Sequence, residues 1–292
     1  MRASSAPATT ATPRSRRPRL GVRIRRHATL LVGATILLAF TTIAIFGPFM
    51  APFAATQQNL MATLQAPSAT HAFGTDHIGR DVLSRVLIGT RYSLFICLVT
   101  VALGALIGVP LGIVAGYVGG RVDALIGSAI DVMLTIPSIV LAIAIVSVVG
   151  PGMFGLVVAI SISFAPRIAR LTRGVVLDVR QEEYVTSSLA LGARTPRVLG
   201  RHVLPNISAP LTVELTLLAG QAVLVAAALG FIGLGVQPPI PEWGTMLSRG
   251  KDFLSIAPHV VTAPGLAIAL LVLGFNFFGD GLRDAWDPKL RR

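Results

Sequence analysis

Six stretches of this chain are apolar for long enough to cross a lipid bilayer, and nothing else in the sequence limits its fold as strongly. They lie at about 28–53, 93–118, 124–149, 153–176, 211–235 and 258–278. A hydrocarbon core of about 30 Å takes roughly 20 helical residues. Inside it every backbone N–H and C=O has to be bonded within its own helix or in a closed barrel. Apolar runs of this length select helices. The sequence therefore predicts an all-α transmembrane protein with a single membrane domain over 28–292. Charge supports this, since only 13% of the 292 residues are charged and 53% are hydrophobic, where a soluble domain carries about 25% charge.

The fourth run is purely apolar only over 153–166. It continues as IARLTRGVVL, with Arg167, Arg170 and Arg173 at helical spacing, and reads as a helix leaving the lipid. The basic residues then set the orientation. With the N-terminus inside, the tail, the turn at Arg121, the stretch 167–206 and the C-terminus hold 8, 1, 7 and 4 of the 25 Lys and Arg residues. Only Arg80, Arg85, Arg91, Arg249 and Lys251 fall outside. That asymmetry predicts both termini in the cytoplasm. It also accounts for the net charge of +12 through topology and anionic lipid, without nucleic acid. The stretch 1–27 lacks acids and is rich in Ser, Thr, Pro and Arg. It reads as a disordered basic tail ahead of an uncleaved first span. The one cysteine, Cys97, permits no internal disulfide.

In the second run Gly104, Gly108, Gly112, Gly116 and Gly120 recur every four residues. Small residues at that spacing let a second helix backbone approach closely. Two acids lie inside apolar runs, Asp131 and Glu214. A charge at mid-membrane costs about 2.5–3.5 kcal/mol on the insertion scale, so neither faces lipid. A gate, an interhelical hydrogen bond or a proton relay would each use them.

Catalytic patterns are missing. No GxxxxGK[ST] phosphate loop, HExxH, CxxC or GxSxG occurs in the chain. Ser161 and Ser163 have no histidine at plausible depth and suit bonds to their own helix. His71, His77 and Asp76 match no strong metal-ligand spacing. The chain is expected to be no enzyme; if ATP drives it, another chain hydrolyses the ATP.

Between the fourth and fifth runs stands EYVTSSLALGARTPRVLGRHVLPN, residues 183–206. Glu182 and Glu183 suit a helix N-terminus, and Gly192 suits the left-handed position past a helix end near Leu191. Thr195 and Pro196 read as cap and first residue of a second helix, which Pro205 closes. This predicts an amphipathic hairpin with Arg194, Arg197 and Arg201 on one face. An interfacial helix on anionic lipid and a helix offered to a partner's groove both fit. Across the membrane, Thr75 or Asp76 suits a helix cap, and Asp81 with Arg85 forms an i, i+4 pair.

The hairpin resembles the coupling loop of bacterial ABC importer permeases, whose pattern is EAA, three residues, Gly, then about nine residues to an aliphatic-Pro. Here the match runs Thr186-Ser187-Ser188, Leu189-Ala190-Leu191, Gly192 and Leu204-Pro205. The first triplet departs from the pattern, and Glu183, one turn earlier, stands where it could replace the lost glutamate. Further stretches resemble C-type permeases of the dipeptide, oligopeptide and nickel transport family. They are Phe73-GTDHIGRDVLSRVLIGTRYSL-Phe95, Asp131-VMLTIPSIVLAIAIV, Gly233-LGVQPPIPEWGTML and Gly279-DGLRDAWDP. The resemblance implies a type I importer permease fold of six helices. It implies a heterodimer with a homologous second permease, an extracytoplasmic binding protein, and two cytoplasmic ATPase subunits that hold ATP and Mg. It implies no cofactor or metal in this chain. Glu183, Thr186, Ser187, Ser188, Gly192, Arg194 and Arg197 would meet the ATPase, while Asp76, Gly79, Arg80, Asp81 and Trp243 would face the binding protein. Peptides are the expected cargo, and nickel and glutathione systems share the motifs. A stand-alone secondary transporter or channel is the rival, but it calls for internal repeats and broken midplane helices, and no clear repeat is present.

Overall fold

The structure, a computed structural model, describes residues 20–286. Among these residues ten α-helices follow one another: α1 (Leu20–Met50), α2 (Val82–Val118), α3 (Gly120–Thr135), α4 (Ser138–Val149), α5 (Met153–Arg180), α6 (Glu183–Ala190), α7 (Thr195–Val198), α8 (Leu204–Phe231), α9 (Trp243–Gly250) and α10 (His259–Trp286). No strand occurs among the described residues. Of the basic tail expected over 1–27, residues 1–19 lie outside the described part, and from Leu20 the backbone is already helical.

Among the described residues five helical stretches are long and apolar enough to cross a membrane, and α3 with α4 makes a sixth only as a pair bent by 94°. One straight span was expected at 124–149. The difference has a local cause. A proline disfavours helical geometry in the residue before it and contributes no N–H. Ile136 accordingly takes an extended conformation (ψ 124°), and Pro137 starts α4 without a side-chain cap. The second span also departs from expectation, starting eleven residues before Ser93. Asp81 accepts a bond from the Ser84 backbone N–H at 2.7 Å and caps α2 there. At 37 residues and about 1.5 Å per residue, α2 is far longer than the hydrocarbon is thick.

The glycines of α2 explain its packing. A methyl group built on Gly108 would sit 2.6 Å from the Ala165 carbonyl oxygen of α5, and one on Gly112 2.5 Å from that of Ala169. On Gly116 it would meet the Arg173 carbonyl at 2.9 Å, and on Gly104 that of Ser161 at 3.3 Å. The two backbones thus lie against each other for four turns, as small residues allow. Ser161 ties them further, with its hydroxyl near the Thr100 carbonyl of α2 (3.0 Å) and the Val157 carbonyl of its own helix (2.6 Å). Gly120 does not belong to the stripe. It opens α3 at φ +57°, with open space where a Cβ would be.

Gly33 of α1 sits against the Phe278 backbone of α10, and Gly281 of α10 against Leu30, which seats α1 on α10 in the same manner. Trp243 at the start of α9 is fully buried among Phe40, Val223, Ala227 and Ile268, with its indole N–H donating to the Val86 carbonyl at 3.2 Å. The core therefore gathers α1, α2, α4, α5, α8 and α10, with α9 inserting Trp243 near the end that carries the loop 51–81 and the hairpin of α6 and α7 at the other.

Candidate functional site

Two of the hairpin's helices are short, and neither would persist alone in water. Packing holds them. Val185 of α6, Val198 of α7 and Val203 are buried against Val176 and Val179 at the end of α5 and Ile207 of α8. Tyr184 stacks obliquely on His202, with ring centroids 5.4 Å apart, and its hydroxyl accepts from the Asn206 amide at 3.2 Å. Gly192 takes φ +81°, the left-handed geometry expected of it.

The second half differs from expectation. Arg194, not Thr195, is the capping residue of α7, and no side chain bonds there. Pro205 closes nothing. The chain passes from α7 through a π-turn at Leu199–Val203 straight into α8. There the Leu204 N–H reaches back five residues to the Leu199 carbonyl. The wider turn places Pro205 in the first turn of α8, where a missing N–H costs least. The hairpin is therefore rigidly continuous with α8. On its outer side Glu183, Thr186, Ser187, Arg194 and Arg197 are exposed, while Ser188 is half-buried. The Thr186 hydroxyl donates to the Glu183 carbonyl at 3.0 Å. At the tip Leu191 is 89% exposed.

A ladder of charges runs up from the hairpin along α5. Arg173 forms a two-point contact with Asp123 of α3 (2.5 and 2.9 Å). Arg170 pairs with Asp131 of α3. Arg167 reaches Glu214 of α8 at 2.5 Å and donates to the Gln221 side-chain oxygen at 3.0 Å. Both acids singled out in the sequence thus sit opposite an arginine of α5. Six charges are thus distributed as three pairs along α5.

At the opposite end, the five residues expected to face a binding protein turn inward. Asp76, Gly79, Arg80, Asp81 and Trp243 are all buried. Asp76 accepts from the backbone N–H groups of Ile78 and Arg80, both at 3.0 Å, and pairs with the Arg80 Nε at 2.7 Å. Asp76 does not cap a helix, and Asp81 does not pair with Arg85. Asp81 meets His71 at 2.9 Å, and Arg85 donates to the Ala55 carbonyl at 2.7 Å. Long-range partners displace the local pair because this loop folds back on itself. Its exposed large apolar residues are Leu60, Met61 and Phe73. His77 stacks on Phe253 at 5.6 Å, and burial lowers its pKa below 6.5 despite the pull of Asp76. Glu242 caps α9, accepting from the Gly244 and Thr245 N–H groups at 2.7 and 2.8 Å. Burial raises its pKa in spite of these bonds. Sequence reasoning missed this cap, although a Glu followed by Trp-Gly-Thr after a proline pair is a legible helix start.

Comparison with known proteins agrees with this architecture. Residues 108–292 match the family of binding-protein-dependent transport system inner membrane components. Residues 21–67 match the N-terminal transmembrane domain of oligopeptide transport permease C. Among solved structures, an inward-facing methionine ABC transporter superposes with a TM-score of 0.56 at 21% identity, covering 67% of this chain and 93% of that one. The fold and the match define the class: this chain belongs to the binding-protein-dependent transport inner-membrane components and is a multi-pass protein of the bacterial inner membrane. Within that class it is similar to peptide and glutathione permeases. A dipeptide transport system permease of Alkalihalophilus pseudofirmus is 45% identical over 269 residues, 92% of this chain and 88% of that protein. A di/tripeptide permease of Pseudomonas aeruginosa is 46% identical over 267 residues, covering 89% and 88%. A glutathione transport system permease of Escherichia coli is 42% identical over 270 residues, covering 92% and 89%.

Proposed function

We propose that this chain forms half of the membrane pathway of an ATP-driven importer of di- and tripeptides. In this reading a homologous second permease supplies the other half, and an extracytoplasmic binding protein delivers the cargo to the end bearing the loop 51–81. Two cytoplasmic ATPase subunits carry the ATP and Mg, and this chain holds no cofactor. In this reading both termini and the hairpin lie in the cytoplasm, which the excess of arginine on that side supports. Cargo follows from the peptide permeases to which the chain is similar; glutathione is itself a tripeptide.

One observation supports the coupling role above the rest. The hairpin is anchored by buried valines on its inner side and presents Leu191, flanked by Arg194 and Arg197, on its outer side. An apolar tip between cations is the shape that enters a partner's groove. Because the π-turn joins it rigidly to α8, a displacement of the hairpin moves α8, and alternation between two packings of the helices follows.

Gly192 tests this. Its Cβ would meet nothing within 4 Å, yet its φ is +81°, a region that costs a β-branched residue about 1–3 kcal/mol. Gly192→Val is expected to keep the assembled complex but lose uptake, with ATP hydrolysis no longer stimulated by loaded binding protein. Wild-type uptake and stimulation in that variant would remove the hairpin from the mechanism.

A further inference from the structure

Three arginines from separate parts of the chain line one small cavity at the end that carries the loop 51–81. They are Arg80 of the loop, Arg85 of α2 and Arg249 of α9, and Asp76 is the one carboxylate on the cavity wall. Three positive charges against one negative leave an excess of two. Asp76 cannot serve all three. One of its oxygens accepts the Ile78 and Arg80 backbone N–H groups, and the other takes the Arg80 Nε at 2.7 Å. The Arg85 Nε stands 3.8 Å from that second oxygen, beyond hydrogen-bond reach. The Arg85 side chain is only 4% exposed, and its guanidinium makes a single hydrogen bond among the described residues, to the Ala55 carbonyl. A guanidinium has five N–H donors, so most of those on this buried group are unfilled. Arg249 forms no ion pair among the described residues. His77 lines the same cavity, and its Nδ1 is buried without a hydrogen-bond partner. The rest of the wall is apolar, made by the buried Val82, Met246 and Val260. Unfilled donors and uncompensated charge are costly on such walls.

We propose that this cavity is a binding site for a monatomic anion of chloride's kind, held by Arg85, Arg249 and His77. Its size selects the class of ligand. It has room for about one water-sized body, which admits a halide ion and excludes phosphate or an organic acid. The ion accepts from the Arg85 donors that Asp76 does not reach and from the Arg249 guanidinium. It also accepts from His77 in the tautomer that carries its proton on Nδ1. One bound ion halves the excess charge and offsets the repulsion between Arg85 and Arg249, which is strong where water is scarce. His77, Arg85 and Arg249 belong to the loop, α2 and α9, so the ion fastens three segments that the sequence keeps far apart. The site is remote from the α5 ladder and independent of the cargo.

The full-length protein purified in detergent provides the test, by thermal unfolding in sodium chloride or sodium gluconate at equal ionic strength. Chloride is expected to raise the midpoint by a few degrees in a saturable way, as a ligand of the folded state does, and gluconate is not. Arg249→Gln, at an exposed position, should raise the half-saturating chloride concentration about tenfold or more. Arg91→Gln, at another exposed arginine of α2, should leave it unchanged. Crystals of the wild-type protein grown in sodium bromide should show an anomalous peak between Arg85, Arg249 and His77. A bromide map empty at that point would mean that water alone fills the cavity, and the proposal would fall whatever the midpoints do. A chloride effect that Arg249→Gln shows undiminished is general screening of charge and overturns it equally.

Discussion

Asp76 shows how a single carboxylate organises the loop ahead of α2. One oxygen accepts the Ile78 and Arg80 backbone N–H groups, and the other holds the Arg80 guanidinium, with Arg85 3.8 Å away. The sequence suggested Asp81 and Arg85 as a local i, i+4 pair. It carried no signal that His71, ten residues upstream, would take Asp81 instead, because that contact depends on how the loop closes. Trp243 differs for the same reason: the resemblance has it facing a binding protein, whereas α9 tucks it into the core. His77 provides a test at this scale. Burial lowers its pKa from the ordinary 6.5, so the folded loop holds it neutral while the unfolded chain takes a proton first. Its contribution is complete above pH 6.5 and falls as pH drops from there through the lowered value. Thermal unfolding of the purified protein should therefore lose stability between pH 8 and pH 5 more steeply than His77→Phe, which keeps the stacking on Phe253 without a titrating ring. Identical pH profiles for the two proteins would refute this reading of His77.

Among the elements, the contact of α2 with α5 was the most legible. Glycines four residues apart in an apolar run announce a helix face that another backbone touches, and four of the five named do so. The bend between α3 and α4 was less so, though Thr-Ile-Pro-Ser contains its cause. Hydrophobicity summed over 124–149 passes for one span, and a proline in a membrane helix often only kinks it. Pro205 misled in the opposite direction, since a widened turn before it lets the helix continue. The hairpin's first half followed from its glycine and acids, while its fastening by Tyr184, His202 and Asn206 needed three-dimensional contacts. Two glycines in the same pair of helices give a matched experiment. Gly108 has no room for a Cβ, whereas Gly174 has open space. Gly108→Ala should destabilise by about 1–3 kcal/mol through overpacking, and Gly174→Ala should be neutral or stabilise by about 0.5–1 kcal/mol. Thermal unfolding in one detergent would rank the two; equal midpoints would mean that the α2–α5 contact is looser than the structure has it.

For the molecule as a whole, the parts divide by end. The loop 51–81 and α9 close one end with buried charges and caps. The other end carries the hairpin, whose inner side is core and whose outer side is free. Between them the arginines of α5 connect α3 to α8, so the helix that the hairpin extends is also the helix that Arg167 grips. A chain built in this way has an outward-facing hairpin and a row of ion pairs along α5, yet it contains no phosphate loop. The account therefore stands on the presence of partners. The most direct measurement is the native mass of the assembly purified in mild detergent through a tag on this chain. The account expects one homologous permease and two ATPase subunits to remain bound, with peptide uptake by the reconstituted assembly strictly dependent on MgATP at the hairpin side. Isolation of this chain alone, or with copies of itself only, in a form that moves peptide without ATP would contradict it.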